Sequence, residues 1–439
     1  MRFTLPACLV LLLGVACARP PHASLDPAKT LKQIQAPQAA IPSGDLAQVL
    51  TALAWKDHPE LAQAKAELEA AKAGVRTAKA IPNPTFGFGA TKAEGVPQPW
   101  TLTYGLTFPI ELGGKRKARV RQAQLGVEAA ELAVADAAWR LRSNLRAALV
   151  DWQAARAVSQ AADEEAQLRA DLQAVQERRF QLGQIGAPER AAATLEAQRA
   201  AAARLAAATD LQRAEAVLAL AAGVQGPPLR ARLAAEPAPD LSSATPAPPQ
   251  DTEALIHRLD VRRVLVSWDQ NEASLDAALA GRFPNLSIGP GYSLDQGVQK
   301  WSLGLSVDLP LFDRKQGPIA EALARRGVIE AQLRQTESRA LSDASLASAR
   351  LSAAESRLQA QDEALAQQRA RLAAAQRAFD LGGADRADLL AAKLESLQAR
   401  SLATEAWAEA QRARLAWENA FQKPLDSHEQ PYRLDGAQP

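Results

Sequence analysis

The sequence predicts a mainly α-helical protein with a membrane β-barrel part, built from two equivalent units. Residues 83–182 and 285–381 follow one plan, about two hundred positions apart. Each unit pairs an alternating β-hairpin with a very long Ala-rich helix, a combination typical of a pore. Matching strings at a near-constant offset indicate an internal duplication: Trp100-Thr-Leu-Thr-Tyr-Gly-Leu-Thr-Phe-Pro109 with Trp301-Ser-Leu-Gly-Leu-Ser-Val-Asp-Leu-Pro310, and Arg179-Phe-Gln-Leu-Gly183 with Ala378-Phe-Asp-Leu-Gly382.

Composition favours a packed protein without a nucleic-acid partner. The chain has 439 residues, 47% of them hydrophobic and 23% charged, which excludes disorder for most of its length. The formal net charge is only +2, and acidic and basic residues alternate along the helices. Because no face carries charge of a single sign, we expect no binding to nucleic acid.

The first sixteen residues have the layout of a secretory signal peptide: a basic start, an apolar run and small residues at the end. Two kinds of processing fit. The residues Ala16-Cys17-Ala18 suit ordinary cleavage, whereas Gly14-Val15-Ala16-Cys17 resembles the lipobox of bacterial lipoproteins, in which Cys17 is acylated. Lipidation is the favoured interpretation. The only other cysteine is Cys8 within the signal, so no disulfide is expected in the mature chain.

Residues 17–44 are rich in Pro and Ala without helical periodicity, which predicts a lipid-anchored N-terminal tether. Beyond the signal peptide, no run of 18 apolar residues predicts a transmembrane helix. Any membrane span would therefore have to consist of strands.

The first repeat covers residues 45–223. Asp45 is placed to cap its first helix, and a Pro-Asn-Pro stretch precedes the β-hairpin 84–109. A long helix is predicted over 115–182, spanning roughly 100 Å at 1.5 Å per residue. A return helix follows over 187–222.

The second repeat, residues 251–422, has the same plan after a Pro-rich connector, 224–250, that is expected to be stiff and extended. The predicted parts are a helix, the hairpin 284–310, a long helix 318–381, a return helix 385–421 and a C-terminal tail 423–439. In the long helix an apolar residue recurs every seven positions, the spacing of helices that coil against neighbours: Leu351, Leu358, Leu365, Leu372 and Phe379.

Each hairpin strand is about ten residues long, with one apolar face and one face of Thr, Ser or Gly. That pattern suits a tilted strand with lipid outside and water inside. A soluble hairpin packed on a core would alternate in the same way, so both interpretations remain open here. Four aromatic residues are predicted to lie at the membrane interfaces: Trp100, Phe108, Tyr292 and Trp301.

Four strands cannot close a barrel, and open strand edges are excluded from lipid. Several copies must therefore contribute. A dimer would supply eight strands, whose interior is largely filled by side chains. Three copies would supply twelve strands around a water-filled lumen, so the sequence predicts a homotrimer with a 12-stranded β-barrel and a long α-helical tunnel.

Four strings carry a resemblance to a known family: Asp57-His-Pro-Glu-Leu61, Phe108-Pro-Ile-Glu-Leu-Gly-Gly-Lys-Arg116, Arg282-Phe-Pro-Asn-Leu-Ser-Ile-Gly289 and Leu309-Pro-Leu-Phe-Asp-Arg-Lys-Gln-Gly-Pro318. The chain resembles the TolC-like outer membrane efflux proteins, and most of all their heavy-metal branch, the CzcC-like and CusC-like channels.

The resemblance implies a trimeric barrel in outer membrane lipid that continues into a periplasmic helical tunnel. It also implies a periplasmic adaptor that links the tunnel to an inner-membrane proton-driven pump of the RND class. The chain would be a passive exit duct for small molecules or metal cations.

The resemblance also suggests individual residues. Asp388 matches an acidic residue of the periplasmic gate, Ala391 stands where a second is often found, and Asp385 is a candidate substitute. Both aspartates would equally serve as local helix caps. The helical tips that would meet the adaptor are Leu182, Gly183, Leu381 and Gly382, where glycine is also an ordinary C-cap. The breaks between barrel and tunnel would be Pro109, Gly113, Gly114, Pro310, Gly317 and Pro318.

No motif predicts an enzyme, a cofactor or a bound metal. The single Met and four scattered His do not form a metal-ligand spacing. Two other functions remain open: an outer membrane channel for type I protein secretion, and a non-conducting periplasmic coiled-coil scaffold held by the Cys17 lipid.

Overall fold

A computed structural model describes residues 24–35, 40–224, 226–238, 252–426, 429 and 432. The chain divides into two compact units, residues 1–41 and 42–439. In the first unit, helix α1, Pro27–Gln35, begins where the Asp26 carboxylate accepts the Ala28 backbone N–H at 3.0 Å. This helix lies in the segment expected to be an irregular tether. Cys17 and the signal peptide lie outside the described residues.

The second unit opens with two helices where the sequence suggested one, α2, Leu46–Asp57, and α3, Pro59–Lys79. His58 separates them because proline disfavours helical geometry in the residue before it. The His58 Nδ1 atom accepts the Glu60 backbone N–H at 3.3 Å and so caps α3.

Both hairpins form as predicted and join into one antiparallel sheet of order β1-β2-β3-β4. The strands are β1, Thr85–Lys92; β2, Trp100–Ile110; β3, Leu286–Asp295; and β4, Val298–Val307. Strands β2 and β3 come from different repeats and pair directly, so the two repeats share one continuous sheet.

After β2, helix α4, Lys115–Gln181, runs for 67 residues, about 100 Å at the α-helical rise. Helix α5, Ala187–Ala222, returns alongside it. Among the described residues, no helix has an apolar stretch long enough to cross a membrane.

The connector is not wholly extended, because it contains helix α6, Pro227–Ala234. Its two prolines occupy the first helical turn, where the missing N–H donors cost nothing. Leu229 and Leu233, four residues apart, are each 3% exposed. Burial of that apolar stripe accounts for a helix that the Pro-rich composition concealed.

The second repeat follows from a short 3₁₀ helix, Thr252–His257, through α7, Leu259–Ala280, to the hairpin β3–β4. Helix α8, Gln316–Asp380, and helix α9, Arg386–Phe421, complete it. As in the first repeat, the long helix and the return helix pack against each other.

The helical core consists mainly of small residues, with a few large apolar side chains among them. Of the predicted seven-residue series, Leu351, Leu358 and Leu365 are buried, and Leu372 and Phe379 are partly buried. Leu351 and Leu358 pack in one buried cluster with an Ala-rich side of α9 that includes Trp417. The Trp417 ring stacks on the Phe421 ring with centroids 4.3 Å apart. Alanine at most other contacts lets the helix axes approach closely.

Candidate functional site at the helical tips and the strand–helix joints

The turns between α4 and α5 and between α8 and α9, here called the tips, have the same construction. Gly183 and Gly382 are left-handed, with φ of 73° and 76°. In each tip the backbone N–H three residues past the helix end, that of Gln184 or Gly383, donates to a carbonyl of the last helical turn at 2.8 Å, the usual C-cap built on glycine. Leu182 and Leu381 are 65% and 88% exposed, so each tip presents one large apolar side chain.

Asp385 and Asp388 form a reciprocal capping box at the start of α9. The Asp388 backbone N–H donates to Asp385 Oδ1 at 2.9 Å, and the Asp385 backbone N–H donates to Asp388 Oδ2 at 3.2 Å. Both carboxylates therefore stabilise the first turn of the helix. The local cap that the sequence suggested is present, and it leaves both side chains exposed at the tip.

Asp385 also joins the two tips, because its carboxylate accepts a hydrogen bond from the Arg179 guanidinium at the end of α4. The pKa of Asp385 is lowered from its ordinary value, mainly by the hydrogen bond from the Asp388 backbone N–H, which together with Arg179 outweighs the opposing effect of burial. Asp385 therefore stays ionised in each chain at neutral pH. Sequence reasoning did not find this partner, which lies 206 residues away.

Besides the buried pair Arg142–Glu418, four solvent-accessible ion pairs among the described residues connect α4, in the first repeat, to α9 and its N-cap, in the second. The outermost is Arg179–Asp385. Moving away from the tip, the others are Asp171–Arg386 at 3.9 Å, Glu164–Arg400, and Asp151–Arg412 at 2.7 Å. The pairs recur along the antiparallel helices, so they hold the second return helix on the first long helix. Each is at least partly exposed, which limits its individual contribution.

At the other end of the helices, β2 passes into α4 through the first joint, residues 111–119. Arg119 forms a two-point contact with Glu111, at 2.6 and 3.1 Å, and also donates to the Ala78 and Ala80 carbonyls at the end of α3. Glu111 of the Pro-Ile-Glu-Leu-Gly-Gly-Lys-Arg string, with Arg119 just beyond that string, thus fastens the end of β2, the start of α4 and the end of α3 together.

The first joint also contacts the second repeat. Gly113 has φ of +71°, and an added Cβ atom would lie 2.5 Å from the Phe283 ring, so both conformation and space require glycine. Lys115 Nζ donates to Asn285 Oδ1 at 2.6 Å. Gly114, with φ of +79°, is the N-cap of α4. Pro109 does not end the strand as predicted, because β2 extends to Ile110 and Pro109 pairs with Ser287.

The second joint, between β4 and α8, is built differently. Pro310 lies after the end of β4 as expected, but Gly317 and Pro318 do not break the chain there, because α8 begins at Gln316 and includes both. The left-handed residue is Lys315, with φ of 60°. The Asp313 carboxylate holds it by accepting the Lys315 backbone N–H at 2.8 Å, so an Asx-type turn replaces the glycine pair.

The aromatic residues form a row that sequence reasoning did not predict. Phe88, Tyr104, Tyr292 and Trp301 are direct neighbours across all four strands, with successive ring centroids 5.3, 6.2 and 5.0 Å apart. Tyr292, towards the end of β3, and Trp301, towards the start of β4, lie side by side because the two strands form an antiparallel hairpin. Trp100 and Phe108 lie outside the row, opposite Lys92 and Ile288.

A buried ionic cluster connects the middle of α4 to the end of α9 and to the tail. Arg142, 2% exposed, makes a two-point contact with Glu429 at 2.6 Å and approaches Glu418 at 2.9 Å without hydrogen-bond alignment. Burial acts to lower the pKa of Arg142, but the two carboxylates outweigh it and raise that pKa. Such partners, far apart in the sequence, carry no local signal.

The described residues contain no group of three or more His, Cys, Asp or Glu that could hold a metal ion. A sheet with one apolar face, joined to two long helical hairpins, defines an outer membrane channel fold.

The chain belongs to the outer membrane efflux protein family, whose model matches residues 50–224 and 252–420. The resemblance drawn from the sequence is thereby confirmed. The chain is 27% identical over 270 residues to the cobalt-zinc-cadmium resistance protein CzcC of Cupriavidus metallidurans. That match covers 60% of this chain and 62% of the length of CzcC.

Two solved structures show the same fold. CusC, studied for its transmembrane channel formation, superposes with a TM-score of 0.69 at 18% identity and covers 89% of this chain and 96% of its own. The CmeC outer membrane channel of Campylobacter jejuni has a TM-score of 0.70 at 17% identity, covering 94% and 95%. The predicted fold class, mainly helical with a barrel part, is confirmed by these likenesses.

Proposed function

We propose that three copies of this chain form an outer membrane channel, the passive exit duct of a tripartite efflux pump. The observation that carries this proposal is the four-stranded sheet. One of its faces is apolar and the other is made of Thr, Ser and Gly, and the sheet is attached to helices of 67 and 65 residues. The faces suit lipid on one side and water on the other.

The sheet requires further strands to enter lipid. Among the described residues, its edges, β1 and β4, have strand partners on one side only, and unpaired backbone groups are excluded from a bilayer. Apolar residues on the edge strands are also exposed, including Phe88 at 60%, Leu303 at 76% and Leu305 at 68%. Twelve strands from three copies would satisfy the edges and leave a lumen.

The tips supply the other functional surface. Leu182 and Leu381, exposed next to left-handed glycines, are the proposed contacts with a periplasmic adaptor that leads to an inner-membrane RND transporter. Asp385 and Asp388 are the proposed gate residues. In a trimer they would place six carboxylates around one axis, which favours cations over anions in the lumen.

The proposed cargo is divalent metal cations, because the relative CzcC is named for cobalt, zinc and cadmium resistance. The chain would act as a conduit and the choice of metal would be made by the transporter. Acylation of Cys17 would hold residues 17–44 at the outer membrane.

Conductance across planar lipid bilayers tests the channel. The purified full-length protein should conduct with a preference for cations, and Asp385→Asn with Asp388→Asn should weaken that preference while Asn preserves the cap. A matched control is Asp163→Asn with Asp210→Asn, which neutralises exposed carboxylates on α4 and α5 away from the tip. Absence of any conductance would favour the non-conducting scaffold.

Growth of a deletion strain tests the cargo. Sensitivity to cobalt, zinc or cadmium that is reversed by the intact gene supports metal efflux. Unchanged metal tolerance together with loss of a secreted protein would instead favour the type I secretion channel.

A further inference from the structure

Building on the proposed trimer, we infer the strand register between neighbouring copies. Strand β4 of one copy pairs with β1 of the next copy, and this contact is called the seam. Leu305 lies opposite Ala90, Val307 opposite Phe88, and Leu309 opposite Phe86. The partner is a second copy of this chain, and the register follows from the contact between the two repeats.

The edges of the sheet provide the surfaces. Every residue of β4 is exposed, and so are seven of the eight residues of β1, whereas most of β2 and β3 is partly covered. The strands alternate in direction across the sheet. The β4 edge of one copy therefore meets the β1 edge of another as an antiparallel pair, the same kind of pair that β2 and β3 make within the chain.

The internal duplication sets the alignment. Trp100 corresponds to Trp301, which relates β2 to β4, and Asn83 corresponds to Asn285, which relates β1 to β3. Within the chain, Tyr104 lies opposite Tyr292 and Phe108 opposite Ile288. The corresponding pairs across the seam are Leu305 with Ala90 and Leu309 with Phe86.

The two faces of the sheet restrict the choice further. In the inferred register, the apolar residues of β4 lie beside Phe86, Phe88 and Ala90, and the small polar residues of β4 lie beside Gly87, Gly89 and Thr91. A shift of one residue would put apolar side chains on the polar face. Only shifts of an even number of residues keep both faces continuous around the ring.

Barrel geometry selects among the even registers. Within one chain, each residue of the row from Phe88 to Trp301 pairs directly with the next one on the neighbouring strand. Any offset of residues around the closed barrel, its stagger, therefore arises at the seams. Strands about 4.8 Å apart, rising about 3.3 Å per residue and tilted by roughly 35–45°, need about four to six residues of stagger per copy. The inferred register places Trp301 opposite position 94, which is a stagger of six residues from Phe88. A register with Trp301 opposite Phe88 would have no stagger and would leave the strands untilted.

The joints fit the same arrangement. In the chain, Gly113 contacts Phe283, and no side chain fits between them. The corresponding residues at the seam are Arg314 and Ile81. Because Ile81 is smaller than Phe283 and 68% exposed, it leaves room for the Arg314 side chain.

Oxidative cross-linking of the full-length protein in detergent tests the register. Leu305→Cys combined with Ala90→Cys should form a covalent trimer, because side chains directly opposite each other suit a disulfide. The matched control, Trp301→Cys with Phe88→Cys, lies on the same face but about 20 Å out of register. We expect the first pair to cross-link at least about tenfold faster than the second. The single-cysteine variants should yield no covalent trimer.

The mass of the detergent-solubilised protein distinguishes failure of the inferred register from failure of the proposed channel. A trimer in which Trp301→Cys and Phe88→Cys cross-link faster, or in which Leu305→Cys and Ala90→Cys do not cross-link, overturns the register and leaves the proposed channel intact. A monomer with an intact sheet overturns the proposed channel and the register together.

Discussion

The guanidinium of Arg179, at the end of α4, donates a hydrogen bond to the carboxylate of Asp385, at the start of α9. The first tip of the chain is thereby joined to the second, and the contact involves one of the two proposed gate residues. If the tunnel opens at this end by a movement of α9 away from α4, the Arg179–Asp385 ion pair has to break first.

Reversing the charge of Arg179 should favour the open channel. Arg179→Glu places two acidic groups side by side, so we expect severalfold more frequent opening in single-channel recordings. Arg179→Glu with Asp385→Arg should restore the original behaviour, because the attraction returns with its direction exchanged. The control is Arg204→Glu, which breaks an exposed ion pair between Arg204 of α5 and Asp163 of α4, two helices of the same repeat. An equal effect of Arg204→Glu would show that the Arg179 pair has no special role.

The pH dependence of the tip follows from the lowered pKa of Asp385. A folded-state pKa below the unfolded value of about 3.9 means that the stabilisation is complete above that value and is lost as pH falls through the lower folded pKa. Hydrogen exchange of the tip peptide, compared with Asp385→Asn, should therefore show a constant difference from pH 7 to about pH 4.5. A difference that fades between pH 7 and 5 would show that carboxylates of neighbouring copies raise the pKa of one another.

Much of this arrangement could be predicted from local patterns. The strand faces follow from a two-residue alternation, the long helices from uninterrupted helix formers, and the tips from Gly183 and Gly382. The aromatic row was missed because it depends on the register between strands of different repeats. Lys315 was missed because a lysine rarely adopts positive φ, and its Asp313 support shows only in three dimensions.

The joint offers a test of close packing at a single glycine. Gly113→Ala adds a Cβ atom 2.5 Å from Phe283 at a positive φ, whereas Gly183→Ala adds one at a similar φ in open space. Both should lose about 1–2 kcal/mol from backbone strain, and Gly113→Ala should lose a further 1–3 kcal/mol or so from overpacking. Denaturant unfolding in detergent measures the difference. Adding Phe283→Ala should make Gly113→Ala much less harmful, and a failure to do so would place the strain elsewhere.

The buried cluster around Arg142 should dominate the stability of the region where α4, α9 and the tail meet. Arg142→Met keeps most of the side-chain volume but removes the cation that Glu418 and Glu429 share. Glu429 keeps its ion pair with Arg146 at 2.7 Å, whereas Glu418 stays buried without its partner Arg142, which costs about 3–5 kcal/mol. The matched control, Arg263→Met, removes a half-exposed pair with Asp136 at 3.5 Å, where the loss should be below about 1 kcal/mol. Adding Glu418→Gln in the Arg142→Met background removes the unpaired carboxylate, while Glu429 stays paired with Arg146, and should recover much of the stability. If Arg142→Met and Arg263→Met unfold at the same denaturant concentration, the cluster is already neutralised by water or protonation, and the connection it makes between the repeats is weaker than its burial implies.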